Sequence, residues 1–472
     1  MAKQFWQAVF KSRTIYLLLA IMVVLLFYAA WAGVSYHDQN HFRTEHQEIA
    51  RESWENNPDK HPHRMAHFGS FAFRLKHPLS IFDFGIESYT GNAVFLEAHR
   101  QNTVNFSEAG FSTGLLRFGE LHMAMILQLI IPLIIFFIGF PAIVADRENG
   151  TLKILLTQGS SWKEILVGRS LGLLAFAALF MIPFILTTGV LLVSEDHADS
   201  EAWVRLLIII ATYLGYYFIL CFVSILISAN CSSSKNSLLK LLGIWLFMTV
   251  LLPKMSQALG AYFHPTPSKV EFTAAIEEEV VKYGDSHNPD DPYFNNLRDS
   301  VLKAHNVTSV TDLPFNYGGL VMSEGERITA NIYNKHKVRL LDLYRDQNQL
   351  TRKLAVINPY LAVKNLSMAL CGTDFESYVD FQHQTEDYRY NLAQTMNELQ
   401  IKYINPGKVS GSEGKQHVVS NERWKEFPDF QHDFFELGSV LQNELYSIFS
   451  IIIWLAISIV SMNYVSKNAK AI

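Results

Sequence analysis

Histidines, mixed acid–base clusters and a glycine-flanked lysine are the groupings in this chain that could do chemistry. His61, His63, His67 and His77 crowd one polar stretch, and imidazole is a common ligand of zinc-class metals. No cysteine accompanies them and their spacing reads as a loop. They are expected to be surface or hydrogen-bonded histidines, with no metal site. His41 to His46 reads His-Phe-Arg-Thr-Glu-His, which has neither zinc-protease spacing, H-E-x-x-H or H-x-x-E-H. Gly411 to Lys415 reads Gly-Ser-Glu-Gly-Lys, too short for the phosphate-cradling G-x-x-x-x-G-K-[ST]. No nucleophile, base or metal constellation emerges, so no catalytic residue and no cofactor site is expected, and a membrane hydrolase is disfavoured.

The remaining polar grouping runs Asp146-Arg147-Glu148-Asn149-Gly150-Thr151-Leu152-Lys153, then Trp162-Lys163-Glu164-Ile165-Leu166-Val167-Gly168-Arg169. It has a charged entry, a Gly-Thr break and an amphipathic stretch, with Ser160 or Ser161 as cap of a second helix. A short amphipathic helix between two apolar segments either relays force to them or simply connects them.

The elements around these residues are apolar. The 472 residues have a mean hydropathy of +0.12 with 18% charged, below the roughly 25% of soluble domains. The average hides nearly charge-free stretches beside ordinary polar ones. Crossing about 30 Å of hydrocarbon takes about 20 apolar residues in a helix. Six stretches qualify: Thr14–Val34, Met123–Val144, Leu171–Val193, Leu206–Ala229, Leu241–Ala261 and Leu445–Val465. The first exceeds a signal-peptide core in length and reads as a retained span. Pro132, Pro141 and Pro183 are candidate kinks. Tyr213, Tyr216 and Tyr217 would line a cavity or pack tightly around Gly215. Lys254, beyond Pro253, is expected to snorkel to an interface.

Short segments fix the expected orientation. Lys3, Lys11 and Arg13; Arg147, Lys153, Lys163 and Arg169; Lys235 and Lys240; and Lys467 and Lys470 all fall on one side. The loop after span three, SEDHADSEAW, is acidic. Both termini are therefore expected in the cytoplasm. These eleven bases leave 28 of 39 on the other side, against 41 of 44 acids. That acidic outer surface and the net charge of −5 give no reason to expect a nucleic-acid partner. Cys221, Cys231 and Cys371 read as small core residues, since no disulfide framework is available outside.

The expected fold is an all-α polytopic membrane protein: six transmembrane helices and a large, mainly helical extracytoplasmic domain built from two loops. Residues 1–34 hold an in-plane helix and span one; 35–121 the first outer loop; 122–261 spans two to five with the inner loop 145–170; 262–444 the large outer domain; and 445–472 span six and a tail. Within the outer domain, Ser323 and Glu326 suggest a capping box. Pro359 starts a helix ending by Gly372, Thr373 or Asp374 caps one reaching about Tyr403, and a last helix covers Asn421–Leu437. Few strands are evident. Asn105–Glu120 suggests a re-entrant pair, and NPGKVSGSEGK a linker.

Glu148 to Leu152 resembles the Glu-x-Gly-Thr-Leu coupling segment of ABC-2 type transporter permeases, and Lys163 to Leu166 matches the stretch that follows it there. The six-span layout also resembles that family, as does the amphipathic start with Phe5, Trp6, Val9 and Phe10. Asn358-Pro359-Tyr360-Leu361 and the stretch through Asp380, Tyr388 and Arg389 look like a subgroup whose insert between spans five and six is known only as a domain of unknown function. The insert is larger than in simple members, so their substrates transfer poorly. The resemblance implies an exporter subunit in a bacterial inner membrane, with Arg147, Glu148, Gly150, Thr151, Leu152, Lys163 and Glu164 coupling it to a cytosolic ATPase dimer. ATP and Mg would be bound by that partner and none by this chain. A second permease chain, identical or a sister, would complete the pore, with a periplasmic or envelope protein as a further partner. The alternative is a membrane-anchored scaffold or sensor whose outer domain binds a protein, although no signalling module accompanies it inside.

Overall fold

The computed structural model describes residues 1–11, 13–102, 121–194, 199–405 and 418–468, and all their side chains except that of Thr14. The proposed re-entrant pair, residues 195–198 of the acidic loop, nearly all of the glycine-rich linker and Lys470 lie outside the described residues.

Among the described residues, six helices are long and apolar enough to cross a membrane, so the chain is a multi-pass membrane protein. Span one, Arg13–His37, pauses at Asp38 and continues as a polar helix, Gln39–Glu55. Spans two to six are Met123–Glu148, Trp162–Val193, Ser200–Asn230, Ser234–Phe263 and Leu445–Asn468. Spans two and four form the centre, with 61% and 56% of their apolar windows buried, against 17% for spans one and five, which face outward. Tyr213, Tyr216 and Tyr217 are buried in that centre, and the Tyr217 hydroxyl donates to Leu127 O at 2.9 Å. They are packing residues. Ahead of Pro132 and Pro253 the helices widen into π-turns, Ile126–Ile130 and Phe247–Leu251, because proline cannot supply the regular amide donor. Lys254 is exposed, and the three cysteines are buried and free.

The helices of seven or more residues outside the spans are numbered in chain order. They are α1 (Ala2–Phe10), α2 (Gln39–Glu55), α3 (Pro62–Phe68), α4 (Thr151–Thr157), α5 (Lys269–Tyr283), α6 (Pro292–His305), α7 (Tyr317–Leu354), α8 (Pro359–Leu370), α9 (Phe375–Tyr403) and α10 (Leu437–Asn443). The described strands form one hairpin, β1 (Ser70–Phe73) antiparallel to β2 (Ala93–Leu96), with Ser70 opposite Leu96.

The connections 35–121 and 262–444 share a core. Trp54 and Met65 from the first pack with Leu392, Met396 and Trp424 from the second, and Trp54 Nε1 donates to Trp424 O at 3.1 Å. Helix α8 starts at Pro359 and α9 is capped by Asp374, as its sequence suggests. Helix α8, apolar apart from Lys364, Asn365 and Ser367, is buried largely in the core of the spans. Its cap Asn358 donates to Met248 O in the span-five π-turn at 2.8 Å.

Two local expectations are overturned. Ser323 does not cap a helix, because α7 already begins after Asn316, whose side chain accepts from Gly319 N. Ser323 instead donates to Gln394 on α9 at 2.8 Å. Asn421–Leu437 is not one helix but a 3-10 turn, Asn421–Glu426, followed by extended chain. The buried Trp424 side chain anchors that turn on α2 more strongly than helix propensity acts.

Candidate functional site

At the end of the bundle that carries α1, span two breaks at Pro141. The freed backbone groups find partners on neighbouring spans. Ser228 Oγ accepts from Ile143 N and Val144 N at 2.9 and 3.1 Å and donates to Phe140 O at 2.8 Å. Ser237 Oγ also donates to Phe140 O, at 2.9 Å. Satisfied in this way, a broken helix is tolerable inside a membrane.

The charged turn that follows is tied to the junction of spans four and five. Arg147 donates to Ala229 O at 2.7 Å and to Cys231 O, placing a cation on the carbonyl end of span four. Glu148 accepts from Ser234 N at 2.9 Å and from the Ser234 hydroxyl, placing an anion on the amide end of span five. Asp146 pairs with Arg169 of span three. Three spans thus converge on one short charged turn.

Gly150 then reverses the chain with φ +75°, a conformation that costs other residues about 1–2 kcal/mol. It opens α4, in which Leu152 is fully buried while Lys153 and Ile154 are exposed, Ile154 by 54%. Ser161, not Ser160, caps span three. Its hydroxyl accepts from Glu164 N at 3.2 Å and the Glu164 carboxylate accepts from Ser161 N at 2.8 Å, a complete capping box. Helix α1 lies on the same span. A Cβ at Gly168 would come within 2.5 Å of Met1 Cβ, and the rings of Trp6 and Phe10 pack against Phe176 at 4.6 and 4.9 Å. A cleft of about 380 Å³ separates α1 from α4, bordered by Met1, Phe5, Asp146, Thr151 and Arg169.

The seven residues singled out by sequence therefore divide. Arg147, half-buried, and Glu148, exposed but bonded to Ser234, act as tethers. Leu152 anchors α4. Gly150, Thr151, Lys163 and Glu164 are exposed around it, with Glu164 committed to the cap. The exposed surface also includes Lys153 and Ile154, whose apolar–basic alternation on a short helix was the available sequence signal.

The opposite end of the bundle is closed by a buried network that sequence reasoning missed. The Ser367 hydroxyl on α8 donates to Asp83 Oδ2 at 2.6 Å and lies 3.1 Å from the Tyr213 hydroxyl of span four. Gln128 of span two donates to Tyr213 at 2.8 Å. Asp83 comes from the first connection, so both connections meet both central spans here.

Residues 269–433, the bulk of the connection between spans five and six, match a family described as a domain of unknown function (DUF3526). No curated protein matches the chain.

Proposed function

We propose that the chain is the membrane-spanning subunit of an ATP-driven transporter of the ABC-2 exporter type, lying in a bacterial inner membrane with its termini in the cytoplasm and its head in the periplasm. The observation that carries this reading is the construction at Arg147–Glu164. An exposed helical turn, α4, is hinged at Gly150 and joined through Arg147, Glu148 and Asp146 to the ends of spans three, four and five. A push on α4 by a soluble partner reaches three spans at once, which a plain connecting loop would not achieve. The eleven bases of the terminus-bearing side support the orientation. ATP and Mg belong to the ATPase partner.

In this reading the Asp83–Ser367–Tyr213–Gln128 network and α8 are the outer gate. Moving spans two and four apart breaks the Gln128–Tyr213 bond and frees Tyr213 to leave Ser367. The weakly buried faces of spans one and five meet lipid or the second permease chain.

The test is purification in mild detergent from the native host, with mass spectrometry and an ATPase assay. A co-purifying nucleotide-binding subunit, lost with Ile154→Asp and Lys163→Glu, is the expected result. Purification with envelope proteins and no ATPase would instead support the scaffold.

A further inference from the structure

The clustered histidines of the first connection separate into different roles once folded. His61 is the cap of α3, accepting from His63 N at 3.2 Å. His77 lies elsewhere, buried, and caps the turn Pro78–Ile81 by accepting from Leu79 N at 3.1 Å. The stretch 62–68 is a helix rather than a loop, so His63 and His67 stand four residues apart on one face, with ring centroids 4.7 Å apart. His99, just past β2, closes on both at 5.5 and 5.4 Å. One ring nitrogen from each of the three lies within 4.8 Å of the others. In a tetrahedral site with Zn–N bonds of about 2.0–2.1 Å the nitrogens stand about 3.4 Å apart, a contraction within reach of small side-chain rotations.

What lies behind the rings points to a ligand. His99 Nδ1 is 3.0 Å from Glu326 Oε2 on α7, and His99 N–H donates to the same oxygen at 2.8 Å. Donation from Nδ1 leaves Nε2 with its lone pair, and that atom is buried without a hydrogen-bond partner. A carboxylate behind one ring nitrogen with the other free is the arrangement that orients metal-bound imidazoles. Glu326 is itself held by Arg389 of α9 at 2.7 Å, with the two side chains 1% and 3% exposed. His63 Nδ1 is also buried and unpartnered. Histidines packed only for bulk would have their buried nitrogens hydrogen-bonded. His99 further adopts φ +62°, a backbone state uncommon outside glycine and frequent at functional positions. The exposed His287, from the second connection, stands edge-on to His99 at 5.3 Å.

We propose that His63, His67 and His99 bind a first-row divalent transition-metal ion of the zinc type, with Glu326 orienting His99 and water or His287 in the fourth position. Imidazole donors select this class over calcium or magnesium. His63, His67 and His99 belong to the first connection and Glu326 and His287 to the second, so occupancy clamps the two parts of the head together. The site is independent of the transport reading.

The test uses the full chain in mild detergent, without a polyhistidine tag, stripped with EDTA and titrated with zinc chloride by calorimetry. One zinc per chain is expected, with a higher melting temperature when bound. His67→Ala removes an exposed ring, so the metal-free melting temperature should hold while affinity falls at least about tenfold and the zinc-induced shift disappears. His305→Ala, an exposed histidine on α6, should change nothing. Absence of stoichiometric zinc binding, or binding untouched by both His63→Ala and His67→Ala, would overturn the site.

Discussion

The turn around Arg147–Glu164 and the knot around Glu326 are both polar, but their partners come from different distances and their surroundings differ. In the first, the caps and hinge are local: Gly150 reverses the chain, Ser161 and Glu164 cap each other, and α4 offers exposed side chains. In the second, Glu326 and Arg389 are buried together from two helices, and His99, from the first connection, closes on them. In the proposed transporter the first is the part that a soluble partner pushes. The second is suited to holding the head in one arrangement, because truncating one partner of a buried ion pair strands a charge.

The difference predicts a graded set of responses. Glu326→Ala should be the most damaging, lowering stability by about 3–5 kcal/mol, measured by chemical unfolding in detergent. A small loss would mean that the knot is not structural. Acid should act on the same head. Burial, reinforced by nearby cationic groups, holds His77 and His432 at about 3, below their usual 6.5. The folded state therefore resists their protonation. Their stabilising contribution is full above pH 6.5 and declines as pH falls toward 3, by about 1.4 kcal/mol per pH unit for each group. Melting temperature measured from pH 7.5 to 5.0 should fall, and His432→Gln should flatten the curve.

Changes at the opposite end should be milder. Ser161→Ala removes the span-three cap and should cost about 1 kcal/mol, read by thermal melting. Ile154→Asp should leave melting within about 0.5 kcal/mol of the parent, as an exposed change does, while abolishing partner ATPase stimulation. If it unfolds the chain instead, α4 is a structural element and the contrast between the two regions fails.

Much of the fold is legible locally. Six apolar runs of spanning length, the cap at Asp374, the start at Pro359 and the Gly-Thr break at Gly150 all follow from helix chemistry within a few residues. The same reasoning failed at Ser323 and Asn421–Leu437. At the first, Asn316 had already started the helix, freeing Ser323 to bind α9. At the second, the burial of Trp424 against α2 outweighed helix preference. Two of the four clustered histidines belong to caps, and the nitrogen that completes their neighbours' cluster comes from His99, which carries no local signal.

The sequence by itself determined the six apolar spans, though not where their helices begin, and the breaks and starts at Gly150, Pro359 and Asp374, because hydropathy, prolines and caps act over one or two turns of helix. Only the tertiary structure decided that α8 is buried among the spans, that Asp83 meets Ser367 and Tyr213 across three elements, and that His99 closes on His63 and His67. Those contacts join residues far apart in the chain, and burial removes the water that would otherwise satisfy their polar groups.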